Sequence, residues 1–207
     1  MMRILLIVGG LLICTQTFAQ SKVVVGLMVS PSIEQTIATH RLSSYNSRFS
    51  MNYGLKGKVT LTRQITLNTG LNLLDKGSVV PVTIETDLFH HALYLSIPIT
   101  VQYTIPITNR LSIGPSIGLT YGRRVYEYFK QRTRDRIWYI VDTWHVNPHY
   151  FGGLVGLETN FMISKRWSLS IAPYYNRQLN DLWRGSAITQ ERFDSFIVEM
   201  TGWYRLR

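Results

Sequence analysis

The stretch Leu111-Ser112-Ile113-Gly114-Pro115-Ser116-Ile117-Gly118-Leu119-Thr120-Tyr121 alternates strictly between two kinds of residue. Leu111, Ile113, Pro115, Ile117, Leu119 and Tyr121 fall on one face of an extended chain. Ser112, Gly114, Ser116, Gly118 and Thr120 fall on the other. Successive side chains of a strand point to opposite sides, so this period of two marks a strand with one apolar and one polar face. An apolar face held over about 9–11 residues is what a bilayer asks of a β-strand that crosses it.

The same alternation recurs in seven further segments, at about 22–30, 49–62, 65–73, 93–104, 151–161, 167–176 and 196–206. The connections between them fall into two sets that alternate along the chain. Those near 63–64, 106–110 and 164–166 are short, and those at 31–48, 75–90, 123–148 and 177–192 are long. Antiparallel neighbours joined in this way place every short turn at one end and every long loop at the other. The expected fold is an all-β, eight-stranded antiparallel up-and-down transmembrane β-barrel, with short periplasmic turns and long extracellular loops.

Alternation alone leaves open which face points out, since a lipocalin-type barrel buries its apolar face. Two features favour apolar outside. The polar faces carry mainly Ser, Gly, Thr and Asn, which suit the narrow lumen of eight strands better than a water-facing surface. Aromatic residues also gather near both ends of the apolar face, with Tyr103, Phe161, Trp167 and Tyr204 at the short-turn end. Phe49, Tyr121, Phe151 and Tyr175 lie at the long-loop end. Two such girdles are expected at two membrane interfaces. Pro98, Pro115 and Pro173 fall inside strands, where each removes a ladder donor, so a β-bulge or a local gap in pairing is expected at each.

Residues 1–19 read as a secretory leader, with Arg3 before a short apolar run and a small-residue cleavage site at Thr17-Phe18-Ala19. Cleavage after 19 of the 207 residues leaves 188 for one barrel domain, residues 20–207. The single cysteine, Cys14, falls within the leader, so no disulfide is expected in the barrel. With 45% hydrophobic and 16% charged residues the composition is that of a folded chain rather than a disordered one. Together these place the protein in the bacterial outer membrane.

Leu95-Ser96-Ile97-Pro98-Ile99, Gly114-Pro115-Ser116-Ile117-Gly118 and Ile171-Ala172-Pro173-Tyr174-Tyr175 resemble strand motifs of the outer-membrane β-barrel domain family that includes PorT-like proteins. The resemblance covers nearly all of the chain after the leader. It implies an eight-stranded barrel in the outer membrane and, for some relatives, a part in secretion or gliding machinery. Such barrels often finish on an aromatic residue, whereas this chain finishes Leu206-Arg207, with Tyr204 partly fitting the pattern.

Candidate chemistry is sparse. His40, His90, His91, His145 and His149 all lie in or beside the long connections, but strand parity sends His90 to the lumen and His91 and His149 outward. This argues against a ready-made metal site. His149 could serve a lipid A-modifying enzyme as a base, yet no acid or hydroxyl nucleophile stands in an evident relation to it. No catalytic residue, cofactor or metal is therefore assigned.

Five charged residues share the polar faces toward the short-turn end: Lys56, Lys58, Glu158, Glu199 and Arg205. In a narrow interior opposite charges are expected to pair and close the pore, because an unpaired buried ion is costly. A small channel with tuned charges is the alternative. The third long connection carries Arg123, Arg124, Lys130, Arg132, Arg134 and Arg136, with Trp138 just beyond. A cationic, aromatic loop beside an outer leaflet suits lipopolysaccharide phosphates or a protein partner; nucleic acid is not expected outside the cell. The short-turn rim carries Arg63, Arg110, Lys165, Arg166 and Arg207, which would suit an acidic periplasmic protein. The sequence thus points to a non-enzymatic barrel acting as a structural or accessory subunit, with a lipid A-modifying enzyme or a small porin-like channel as rivals.

Overall fold

The computed structural model describes residues 23–38, 46–83, 86–132, 138–141, 147–180 and 191–206. Their strands are β1 (Val23–Ala38), β2 (Arg48–Thr60), β3 (Ile65–Thr83), β4 (Thr86–Tyr103), β5 (Ile105–Pro106), β6 (Leu111–Arg132), β7 (Trp138–Val141), β8 (His149–Met162), β9 (Trp167–Gln178) and β10 (Glu191–Arg205). Eight are the staves of an antiparallel barrel. Each pairs with the next stave in the chain, and β1 pairs with β10 to close the ring. Among the described residues closure gives each of the eight staves a partner on both sides, which is what a backbone in hydrocarbon requires. β5 continues the line of β4 against β6, and β7 pairs with the outer end of β6.

Pro98, Pro115 and Pro173 are met by gaps rather than bulges. Between β3 and β4 the pairing passes from Thr69 with Ile99 to Asn72 with Ser96, keeping register but skipping the pair that holds Pro98. Between β8 and β9 it passes from Gly156 with Tyr174 to Thr159 with Ile171, skipping Pro173. Pro115 lies opposite the break at Thr104 that separates β4 from β5, with Gln102–Ser116 on one side and Ile105–Ile113 on the other. Pro31, in β1, lies in a like gap between Val29–Met200 and Ser32–Ile197. A missing N–H thus costs local pairing on one edge while the other edge carries the register.

The three short turns share one construction. Thr62 Oγ1 accepts from the Ile65 amide at 3.0 Å, Thr108 Oγ1 from Leu111 at 3.0 Å, and Ser164 Oγ from Trp167 at 3.1 Å. In each, the backbone carbonyl of that last residue also accepts from the hydroxyl residue's own amide. The underlying pattern is an apolar residue, a hydroxyl, two polar residues and an apolar residue: Leu61-Thr62-Arg63-Gln64-Ile65, Ile107-Thr108-Asn109-Arg110-Leu111 and Ile163-Ser164-Lys165-Arg166-Trp167. A side-chain oxygen that satisfies turn amides makes this reversal cheap, and the two central polar residues are left pointing to solvent.

At the opposite end the staves run further than the sequence pattern suggests. The connection expected at 75–90 is a continuous hairpin, in which β3 extends to Thr83 and β4 starts at Thr86. β1 runs on past Pro31 to Ala38, and β6 runs to Arg132 before pairing back with β7. Much of what reads as loop is therefore paired β-ribbon standing beyond the apolar band.

The two faces separate as the alternation demands. Leu27 (71% exposed), Leu55, Ile99, Ile117, Leu119 and Val155 form an apolar outer wall. Ser30, Asn52, Asn72, Ser96, Thr120, Asn176 and Thr201 are buried inside. The lumen is narrow enough that two inward glycines are required by neighbours: a Cβ on Gly156 would strike the Tyr174 ring, and one on Gly152 would strike Asn176 and Tyr150. The eight aromatic residues named above all lie outside. Phe49, Tyr103, Tyr121, Phe151, Phe161, Trp167 and Tyr175 are exposed and Tyr204 is half-buried. Trp167 packs on Tyr204 and Tyr121 on Phe151, each with ring centroids 4.9 Å apart. On β8 the two girdle positions, Phe151 and Phe161, are ten residues apart. At about 3.4 Å per residue and a tilt of about 40°, this spans roughly 25 Å, the height of the apolar band of such barrels.

Candidate functional site

The interior is the best-defined candidate site, and it is built in charged layers. Nearest the short turns, Lys58 Nζ lies 2.6 Å from Glu158 Oε1 and 3.3 Å from Asn160 Oδ1, with the Trp203 ring 4.5 Å away. Lys56 Nζ lies 2.8 Å from Glu199 Oε2. The structure thus brings four of the five expected lumen charges together as two pairs. Arg205 does not join them. It is exposed at the mouth on the last residue of β10, where water solvates it and both carboxylates are already taken.

Above these pairs, Tyr174 donates to Ser116 and Tyr150 to Asn176, and a cavity of only about 30 Å³ remains at mid-barrel. That is room for about one water molecule. Higher still is a layer that the sequence pattern did not single out. Lys76 Nζ lies 2.9 Å from Glu34 Oε2, and both side chains are fully buried. Ser195 bridges them, accepting from Lys76 and donating to Glu34. Ser32 donates to the other Glu34 oxygen at 2.9 Å. Lys76 also stands 5.4 Å from the centre of the Tyr150 ring. Each buried ion thus has its partner and further hydrogen bonds, the condition under which a buried pair is tolerated. The alternation of β1 continues through Ser32, Glu34 and Thr36, so Glu34 was recoverable had Pro31 not been read as a strand end.

The outermost layer lies in the ribbons above the apolar band. His90, buried, meets Glu127 at 2.9 Å, and Arg124 binds the other Glu127 oxygen. His91 lies 3.3 Å from Asp75, which also takes Arg48 at 2.8 Å. Burial, followed by the Arg48 charge, holds the His91 pKa below its ordinary value of 6.5 despite Asp75. The neutral imidazole is therefore favoured at His91, and its 3.3 Å approach to Asp75 Oδ1 is a close contact rather than a hydrogen bond.

The described part of the basic and aromatic patch is a ribbon rather than a loop. Arg123 is exposed on β6, beside His149 on β8. Arg124 is occupied by Glu127, and Lys130 stands 4.8 Å from the Tyr128 ring. Arg132 ends β6 and Trp138 begins β7, and the two are register partners. Arg134 and Arg136 lie outside the described residues, as do His40 and His145. His149 bonds to Tyr121 Oη at 2.8 Å. Among the described residues no three His, Cys, Asp or Glu side chains come together as a metal site.

At the short-turn end the barrel opens into a cavity of about 310 Å³. Gln102, Thr66 and Ser112 line its inner part. Arg110, Lys165, Arg166 and Arg205 line its mouth.

This geometry has counterparts among known proteins. The fold is similar to that of OprG from Pseudomonas aeruginosa, with a TM-score of 0.56 at 11% identity over 90% of this chain and 96% of that one. It is similar too to a major outer membrane protein from Thermus thermophilus, with a TM-score of 0.50 at 8% identity over 88% of this chain and 99% of that one. No curated protein matches the sequence. The family model described as "Outer membrane protein beta-barrel domain" matches residues 18–183. An apolar-walled, closed ring of eight antiparallel staves and that match agree: the chain belongs to the outer membrane protein β-barrel domain family and is a bacterial outer-membrane protein.

Proposed function

We propose that this barrel is a closed, non-enzymatic membrane element that serves as a structural or accessory subunit of a cell-envelope assembly, in the manner of PorT-like relatives. The observation that carries this reading is the stack of paired charges across the lumen: Lys58–Glu158 and Lys56–Glu199 below, Lys76–Glu34 above, with about 30 Å³ left between. Among the described residues this packing leaves little room for water between the two charged layers, which speaks against the porin-like alternative. Against the lipid A-modifying alternative, the hydrogen-bond partner of the His149 ring among the described residues is the Tyr121 hydroxyl rather than a carboxylate. Residues 1–19 act as the leader that delivers the chain for export. The ribbon formed by β6 and β7 faces outer-leaflet lipopolysaccharide with cations such as the exposed Arg123, and the basic rim faces a partner on the periplasmic side.

Planar-bilayer recording on the purified barrel, together with lipid A mass spectrometry of cells with and without the gene, tests the reading. No resolved conductance steps and an unchanged lipid A profile are the expected results. Steady channel openings or a new lipid A species would overturn it. Co-purification of a stoichiometric envelope protein from native membranes would identify the assembly.

A further inference from the structure

We infer that the cavity at the short-turn end is a binding site for a compact anion bearing carboxylate or phosphate oxygens, taken up from the periplasmic side. Its volume of about 310 Å³ is at the lower end of the range for small-ligand pockets. None of the described residues that line it is acidic, and the charge of Lys58 on its wall is already spent on Glu158. Arg110, Lys165, Arg166 and Arg205 remain, all exposed, and none of them has a carboxylate within ion-pair distance among the described residues. They stand on two adjacent turns and one strand end: the Arg110 carbonyl accepts from Met162, and the Arg166 carbonyl accepts from Arg205.

A second, independent observation lies deeper. Gln102 is 1% exposed and lines this cavity, yet its Nε2 makes no hydrogen bond. A buried amide donor without an acceptor is costly, and Nε2 offers two N–H groups. Thr66, its register partner on β3, and Ser112 on β6 put hydroxyl groups on the same wall. Cations at the mouth attract an anion and slow its escape. An unmet donor at the floor then meets an oxygen that reaches inward, as charge-assisted hydrogen bonds favour. The same chemistry is offered by a free small anion and by an acidic chain end of a periplasmic protein.

The test uses the exported barrel in detergent micelles at low salt, titrated with citrate in one arm and a tetraglutamate peptide in the other. Calorimetry reads affinity, and the side-chain amide resonance of Gln102 reads position. We expect saturable binding in at least one arm, with the Gln102 amide shifting along the same isotherm. Binding of citrate points to a free anion, and binding of the peptide alone points to a protein chain end. Replacing two exposed cations (Arg166→Gln with Arg205→Gln) is expected to weaken binding at least tenfold without disturbing the barrel, and Gln102→Leu to weaken it several-fold. An unmoved Gln102 amide in both arms would overturn the inference. So would affinity that the two-arginine variant leaves unchanged.

Discussion

Lys76 Nζ and Glu34 Oε2 lie 2.9 Å apart, and neither side chain is reached by solvent. β1 and β3 do not pair with each other; β2 stands between them. This contact therefore crosses the lumen and ties non-adjacent staves together. Removing one partner of a buried pair strands the other charge, at a cost of about 3–5 kcal/mol. Glu34→Ala is expected to destabilise the barrel by that order in urea unfolding from micelles. The double replacement Glu34→Gln with Lys76→Met is expected to recover much of the loss. A double variant as unstable as the single one would mean the ions do not act as a pair.

Lower in the barrel, Glu199 is the carboxylate that Lys56 meets. Glu199→Ala leaves that ammonium unpaired, so water should enter to solvate it. Bilayer conductance is then expected to rise above that of the unaltered barrel. Unchanged conductance together with unchanged thermal stability would show that the pair does not help to close the lumen.

The β3–β4 ribbon should respond to pH through His91. Its folded pKa is lowered, so the folded state resists a proton that the unfolded ribbon accepts near 6.5. Stability from this group is present above about pH 6.5 and is lost as pH falls toward the folded pKa. Protection factors for amide exchange in the outer part of β3 and β4, which allow for the intrinsic slowing at lower pH, should fall as pH drops below about 6.5, and His91→Gln should remove that fall. An identical pH response in that variant would contradict the assignment.

The outer wall makes a fourth expectation. Leu119, 62% exposed, faces away from the lumen near the girdle of Tyr121 and Phe151. Leu119→Arg is expected to cost up to about 2–4 kcal/mol of folding free energy in vesicles, with less toward the interface. Retained stability would mean that this face does not meet hydrocarbon.

Much of this was legible in the residues. A period of two from Leu111 to Tyr121 dictates a strand, and small polar residues opposite dictate a narrow lumen. That charges at Lys56, Lys58, Glu158, Glu199 and Arg205 gather on the inner faces follows from parity and depth; which lysine meets which carboxylate, and that Arg205 stays at the mouth, comes from the structure. What was not legible has physical causes. Pro31 reads as a stop, but a proline in a barrel stave only opens a gap on one edge, so β1 continues and carries Glu34 inward. The ribbon of β3 and β4 beyond Leu74 lacks the apolar outer face that marks the spanning part, because it stands above the bilayer. Its strand character comes from cross-strand pairing, such as Ser78 with His90. The turn motif around Thr62, Thr108 and Ser164 was present three times in the sequence, and only the hydroxyl-to-amide bonds give it meaning.

The most direct test of the account is which way each face points in a membrane. The only cysteine, Cys14, lies in the proposed leader, so single cysteines placed from 113 to 121 carry spin labels without background. Labels at Ile113, Ile117 and Leu119 should be open to dissolved oxygen and shielded from a water-soluble nickel chelate, whereas labels at Ser116, Gly118 and Thr120 should show neither the oxygen access nor lipid-like mobility. The reverse pattern, or a folded monomer that stays soluble without detergent, would contradict it.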